Sequence, residues 1–168
     1  MIYYQRFCKV YLPFNLERIQ ETFEKQSKIS REYKMKIRIV SSREEINSLE
    51  PSEKLIHLAF RPSNTDIFSL VQTCPNVKAI QIPASYIKII SNSTRMLLNM
   101  QGIALLEGDV WGHRKDINEY YEIKPEIFDH MKELKKEGLS EPDLLKKLGR
   151  DGLSNDLLRF LLKGTAKK

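Results

Sequence analysis

The chain has 168 residues, 41% of them hydrophobic and 30% charged, and a formal net charge of +6; this is globular usage, enough for one domain with an appendage. Its apolar runs fall far short of the roughly 18 residues that span a bilayer, and Arg6 and Lys9 interrupt any signal-peptide core, which excludes a membrane partner and argues against secretion. Cys8 and Cys74, distant from each other and without a CxxC pair, read as free thiols of a cytoplasmic protein.

The charge is unevenly placed. Residues 1–41 hold nine Lys and Arg against four acids, 42–124 hold nine against ten, and 125–168 hold ten against eight. The basic excess therefore lies in the flanks, the asymmetry expected when a flank meets an anionic partner. A solvated surface is the plain alternative.

Residues 1–34 read as an N-terminal extension. Leu12, Leu16, Ile19 and Phe23 recur at helical spacing, which predicts a short amphipathic helix from about Asn15, an N-cap residue type, to about Ser27. Met35 then opens what reads as the domain proper, either as an internal methionine or as the true start. From Lys36 to Val40 basic and apolar residues alternate, which predicts an edge strand. Ser41 or Ser42 is expected to cap a short helix with Glu44 and Glu45 in its first turn. Apolar runs at 55–60, 77–82 and 103–106 read as strands, with helices over 65–74 and 84–98 between them and Asn64 or Thr65 capping the first. This βαβαβ pattern predicts an α/β domain over 35–122 with a small parallel sheet. Strand centres at roughly 22 to 24 residues also suggest a leucine-rich repeat, but with one good copy where a solenoid needs about three.

Ligands of open α/β sheets lie beyond the carboxyl ends of the strands. The residues placed there are Arg61, Asn64, Ser85, Asp109, Trp111 and His113, a polar rim for a small polar ligand. No motif assembles a nucleophile, base and orienting group, so no catalytic residue is assigned and the chain leans away from being an enzyme. His57 sits inside an apolar strand and reads as a core residue; the three histidines and two cysteines miss zinc spacings, so neither a metal nor a cofactor is expected.

Residues 123–168 read as three short helices. Pro125 opens the first, with Ile127, Phe128, Met131 and Leu134 on one stripe, and Gly138 ends it. Ser140 and Asp143 have capping-box spacing before Leu144, Leu145 and Leu148, and Gly149 stops the second. Ser154 caps a third, with Leu157, Leu158, Leu161 and Leu162 inward. The stretch from Gly138 to Gly164 resembles the helix-turn-helix of repressor-type DNA-binding domains. It departs from that pattern at Leu145, where a small residue is usual, and in the longer turn at 150–153. The resemblance implies a recognition helix over 154–163, presenting Asn155, Arg159 and Lys163 to duplex DNA with Lys167 and Lys168 beyond.

More widely, the segments MKIRIVSS (35–42), CPNVKAIQIP (74–83) and LEGDVWGHRKD (106–116), with Gly138 to Ser140, resemble a family of uncharacterised proteins from methanogenic archaea. That resemblance implies a cytoplasmic archaeal protein of regulatory role, and it supplies no substrate or catalytic residue. The expected function is a DNA-binding regulator whose α/β part senses a ligand or mediates assembly, a homo-oligomer included. The rivals are a protein-interaction module without nucleic-acid binding and a small-molecule-binding α/β protein.

Overall fold

Strand β1 (Lys36–Val40) starts a sheet whose next members follow in order: β2 (Leu55–Leu58), β3 (Ala79–Ile82) and β4 (Ala104–Glu107). The computed structural model of the protein describes residues 35–110, 119–149 and 152–164. A 3-10 helix (Glu44–Ser48) joins β1 to β2, α1 (Asn64–Thr73) joins β2 to β3, and α2 (Ala84–Ile87) with α3 (Asn92–Met100) joins β3 to β4. These four strands are parallel; a fifth, β5 (Tyr120–Glu122), lies antiparallel to β1, giving the order β4-β3-β2-β1-β5. The α/β class and the parallel sheet match the reading of the sequence.

The winding decides the layers. Each parallel connection steps one strand in the same direction, and right-handed crossovers that never reverse put all their helices on one face. That face holds Val40, Ile56, Leu58, Ile80 and Ile82, packed with Ile46, Leu49, Ile67, Leu70, Leu98 and Ile103. The register places Ile39, His57, Gln81 and Leu106 side by side on the other face, and all four are buried. Three C-terminal helices follow, α4 (Pro125–Lys136), α5 (Glu141–Leu148) and α6 (Asn155–Gly164), and the head of α6 lies on this second face, where Gln81 bonds Ser154. Helix α6 packs on β4 and on α5, α5 packs on α4, and Lys135 Nζ of α4 donates to the Leu162 carbonyl of α6 at 2.8 Å. Eleven apolar side chains from these helices are buried, among them Leu157, Leu158, Leu161 and Leu162 of α6. Burying each stabilises the layer by roughly 1.5–3 kcal/mol relative to exposure.

Several local expectations are corrected. β1 is not an edge strand, because β5 pairs with it; Ile39 N–H also donates to the Glu119 carbonyl at 2.8 Å. Arg38 consequently lies buried rather than on a basic outer face. Three residues, Tyr120 to Glu122, are too short a run for alternation to reveal. The helix expected over 84–98 is two helices. Ser91 caps the second, its Oγ accepting from Thr94 N–H at 3.2 Å, while Asn64 Oδ1 accepts from Ser91 N–H and from the Thr94 hydroxyl. Arg95 closes the break by donating to the Ile87 and Ile90 carbonyls. For α1 the cap is Ser63, not Asn64 or Thr65: Ser63 and Asp66 form a reciprocal capping box. The 3-10 helix has no side-chain cap at all, so neither Ser41 nor Ser42 serves. Ser140 sits at the N-cap of α5, but its hydroxyl donates to the Asp143 carboxylate instead of capping the backbone.

The outer edge of β4 is partly closed. Ile103 N–H donates to the Leu98 carbonyl at 2.8 Å, and Glu107 N–H to the Asp156 carboxylate at 3.1 Å.

Candidate nucleic-acid interface

Helix α6 has a sharply two-sided sequence. Its leucines at 157, 158, 161 and 162 face inward, and Asn155, Arg159 and Lys163 are exposed on the opposite side. Ser154 begins the helix, its Oγ accepting from Leu157 N–H at 3.3 Å, the N-cap bond its residue type favours. The Arg159 side chain is about half exposed at 49%, with Nε 3.3 Å from Glu141 and Nη1 3.3 Å from Asp156. The three side chains assigned to DNA thus share one outward stripe, and one is already flanked by carboxylates. Lys167 and Lys168, expected to extend it, lie outside the described residues.

The head of α6 is anchored on the sheet. Gln81 Nε2, from the middle of β3, donates to Ser154 Oγ at 3.1 Å, and Asp156 takes the Glu107 N–H. Sequence reasoning did not find these anchors. Gln81 had no signal apart from being polar in an apolar strand, a position usually held by Val, Ile or Leu in a parallel sheet.

Of the polar rim expected from the sequence, Arg61, Asn64, Ser85 and Asp109 lie among the described residues. Arg61, Ser85 and Asp109 are exposed beyond β2, β3 and β4 in turn. Asn64 stands with them in sequence, but its side-chain oxygen is already bonded to the start of α3. Trp111 and His113 lie outside the described residues. A sheet wound in one direction also lacks the reversal of strand order at which crevices open in doubly wound folds. Among the described residues no three His, Cys, Asp or Glu side chains gather to hold a metal ion.

A second polar cluster lies at β5. Arg38 Nη1 meets Glu119 at 2.5 Å and its guanidinium stands 5.2 Å from the Tyr120 ring, over which Lys36 Nζ also lies at 5.3 Å. The Tyr120 hydroxyl donates to Glu53 at 2.5 Å. That bond to a carboxylate, with burial added, pushes the phenol up to about 12. At the head of α1, burial works to raise Asp66, but bonds from the Ser63 N–H and hydroxyl and the charge of Arg43, 2.9 Å away, outweigh it and hold the carboxyl below its usual range. These groups fasten elements together: β5 to the β2 approach, and α1 to the 3-10 helix.

Among the described residues no helix is long and apolar enough to cross a membrane. One family model matches the chain, over residues 36–119, and is described as the N-terminal domain of a family of unknown function (DUF1699). No curated protein and no solved structure matches.

Proposed function

We propose, for a chain that belongs to the DUF1699 family of unknown function, the role of a cytoplasmic archaeal DNA-binding regulator that offers α6 to duplex DNA in a helix-turn-helix manner. The observation that carries this reading is the orientation of α6: although the helix is docked on the sheet, Asn155, Arg159 and Lys163 point away from it. A lid helix would also turn a polar face to solvent; the DNA reading is supported by the choice of Asn, Arg and Lys at one-turn spacing on that face. Arg159 and Lys163 can meet phosphates or base edges, and Asn155 can pair with adenine. The α/β part would then sense a small polar ligand at Arg61, Ser85 and Asp109, or mediate assembly.

A second reading, a protein-interaction module, is favoured by one specific observation. Glu141 and Asp156 flank Arg159, and Glu137 lies 3.7 Å from Lys147, so the outer surface of α5 and α6 mixes both signs. Such a surface suits a partner protein as well as a polyanion.

Fluorescence anisotropy of labelled genomic duplexes at two salt concentrations separates the two. The expected outcome is affinity that falls steeply with salt, Lys163→Ala flattening the slope of log K against log salt by roughly 0.9. Arg159→Ala is expected to cost roughly 1–3 kcal/mol on a preferred site and little elsewhere. Folded protein that ignores every duplex at low salt would move the interaction module to the front.

A further inference from the structure

We propose that Gln81 and Gly108 are positioning residues for α6, fixing the direction in which Arg159 and Lys163 are presented; the proposal rests on the DNA-binding reading above. Three contacts meet at the head of the helix. Gln81 is wholly buried, and its Nε2 donates to Ser154 Oγ at 3.1 Å. Asp156, one turn-start further on, accepts from Glu107 N–H. Between them Gly108 runs against the helix with φ +150°; a Cβ there would overlap Ser154 Cβ and Oγ and come within 2.7 Å of Gln81 Nε2. Only glycine has both the backbone freedom and the absence of a side chain that this approach requires.

The chemistry of Gln81 separates positioning from stability. Its Oε1 is buried with no hydrogen-bond partner among the described residues, an arrangement that costs free energy. A leucine of similar volume would fill the same space, between His57 of β2 and Leu106 of β4, without that cost. What the amide adds is a directional bond to the N-cap residue of α6. Lys163 lies about 13 Å from Ser154 at 1.5 Å per residue. A tilt of about 10° at the anchor therefore moves it by about 2 Å, more than the distance tolerance of a hydrogen bond to a base edge. Ser154 and Asp156 are bonded to the sheet, which leaves Asn155 as the residue of the first turn able to join Arg159 and Lys163 in reading.

The test uses the full chain and a library of random-core duplexes from which the wild type selects a site. Affinity is measured on the selected duplex and on a scrambled one of equal length for wild type, Gln81→Leu and Gly108→Ala, with thermal unfolding of each. Gln81→Leu is expected to unfold no earlier than wild type and to bind the scrambled duplex unchanged, while its selected-to-scrambled ratio falls about tenfold, the effect of one well-made polar contact. Gly108→Ala should lower the ratio in the same direction and unfold earlier. If the wild type discriminates and Gln81→Leu discriminates equally, the proposal is overturned while the DNA-binding reading stands. Loss of both affinities in parallel with early unfolding of Gln81→Leu would assign it a merely structural role and likewise overturn the proposal. A wild type that selects nothing overturns the reading and the proposal together.

Discussion

Cys74 ends α1 with its Sγ donating to the Glu50 carbonyl at 3.3 Å. Burial, with the charge of Glu53 added, pushes its thiol from 9.0 up to about 11. Native protein should therefore resist iodoacetamide at pH 8 at this position, where denatured protein reacts; mass spectrometry of the Cys74 peptide gives the ratio, and equal labelling of both forms would contradict the burial. Because the folded value is raised, stability is intact below pH 9 and declines from there to about pH 11, as the unfolded chain loses the proton first. Asp66 works in the opposite sense. Its carboxyl is held low, so its contribution is present at neutral pH and is lost as pH falls through the acid range. Asp66→Ala should cost about 1 kcal/mol near pH 7 by urea unfolding, and the gap to wild type should close on acidification. The sequence did show an acidic residue near the start of α1, but not that Ser63 rather than Asn64 completes the box. Asn64 was legible as a polar residue at a strand end, yet its partners lie 27 and 30 positions away, on the next helix but one.

At the scale of elements, α6 is the best resolved by pattern and the most informative by docking. Leu158 is fully buried, and Leu158→Ala should destabilise by roughly 2–5 kcal/mol in chemical denaturation. Arg159→Ala, on the exposed side, should change stability by less than about 1 kcal/mol, since its two ion pairs are half-exposed. A reversed order of effects would mean that α6 is not seated as described. Helix-period leucines made α4, α5 and α6 readable, along with their glycine and proline punctuation. The break between α2 and α3 was not readable from periodicity, because Ile89 and Ile90 continue the apolar pattern through it; the signal was instead Ser91 followed by Thr94, a cap inside an apparently continuous helix.

For the whole molecule, the sequence carried the four parallel strands because β2, β3 and β4 are short apolar runs between polar turns and β1 alternates basic with apolar residues. It did not carry β5, whose pairing partner lies more than eighty residues earlier, nor the burial of Arg38 that this strand makes tolerable by supplying Tyr120 and neighbouring Glu119. Nor did it say that α6 docks on the second face of the sheet. That follows from topology: a sheet wound in one direction leaves a face uncovered, and the only remaining amphipathic helices of the described chain are α4, α5 and α6.

Such winding also ends in a strand with one side unpaired, and here the bond between Asp156 and Glu107 N–H takes on another meaning. An unpaired strand is a template for intermolecular growth, and proteins blunt it with charge and cover. A carboxylate on the Glu107 amide and the Leu98 carbonyl on that of Ile103 occupy an amide at the end of β4 and one just before its start, the points at which a foreign strand would extend its pairing. Asp156→Ala should thus leave the fold intact by circular dichroism but shorten the lag of thioflavin-positive fibril formation under mild heating, with Leu105→Pro in the same background restoring it. An unchanged lag would mean that the packing of α6 alone protects this margin; a shortened one would make a single aspartate the guard against polymerisation of the sheet.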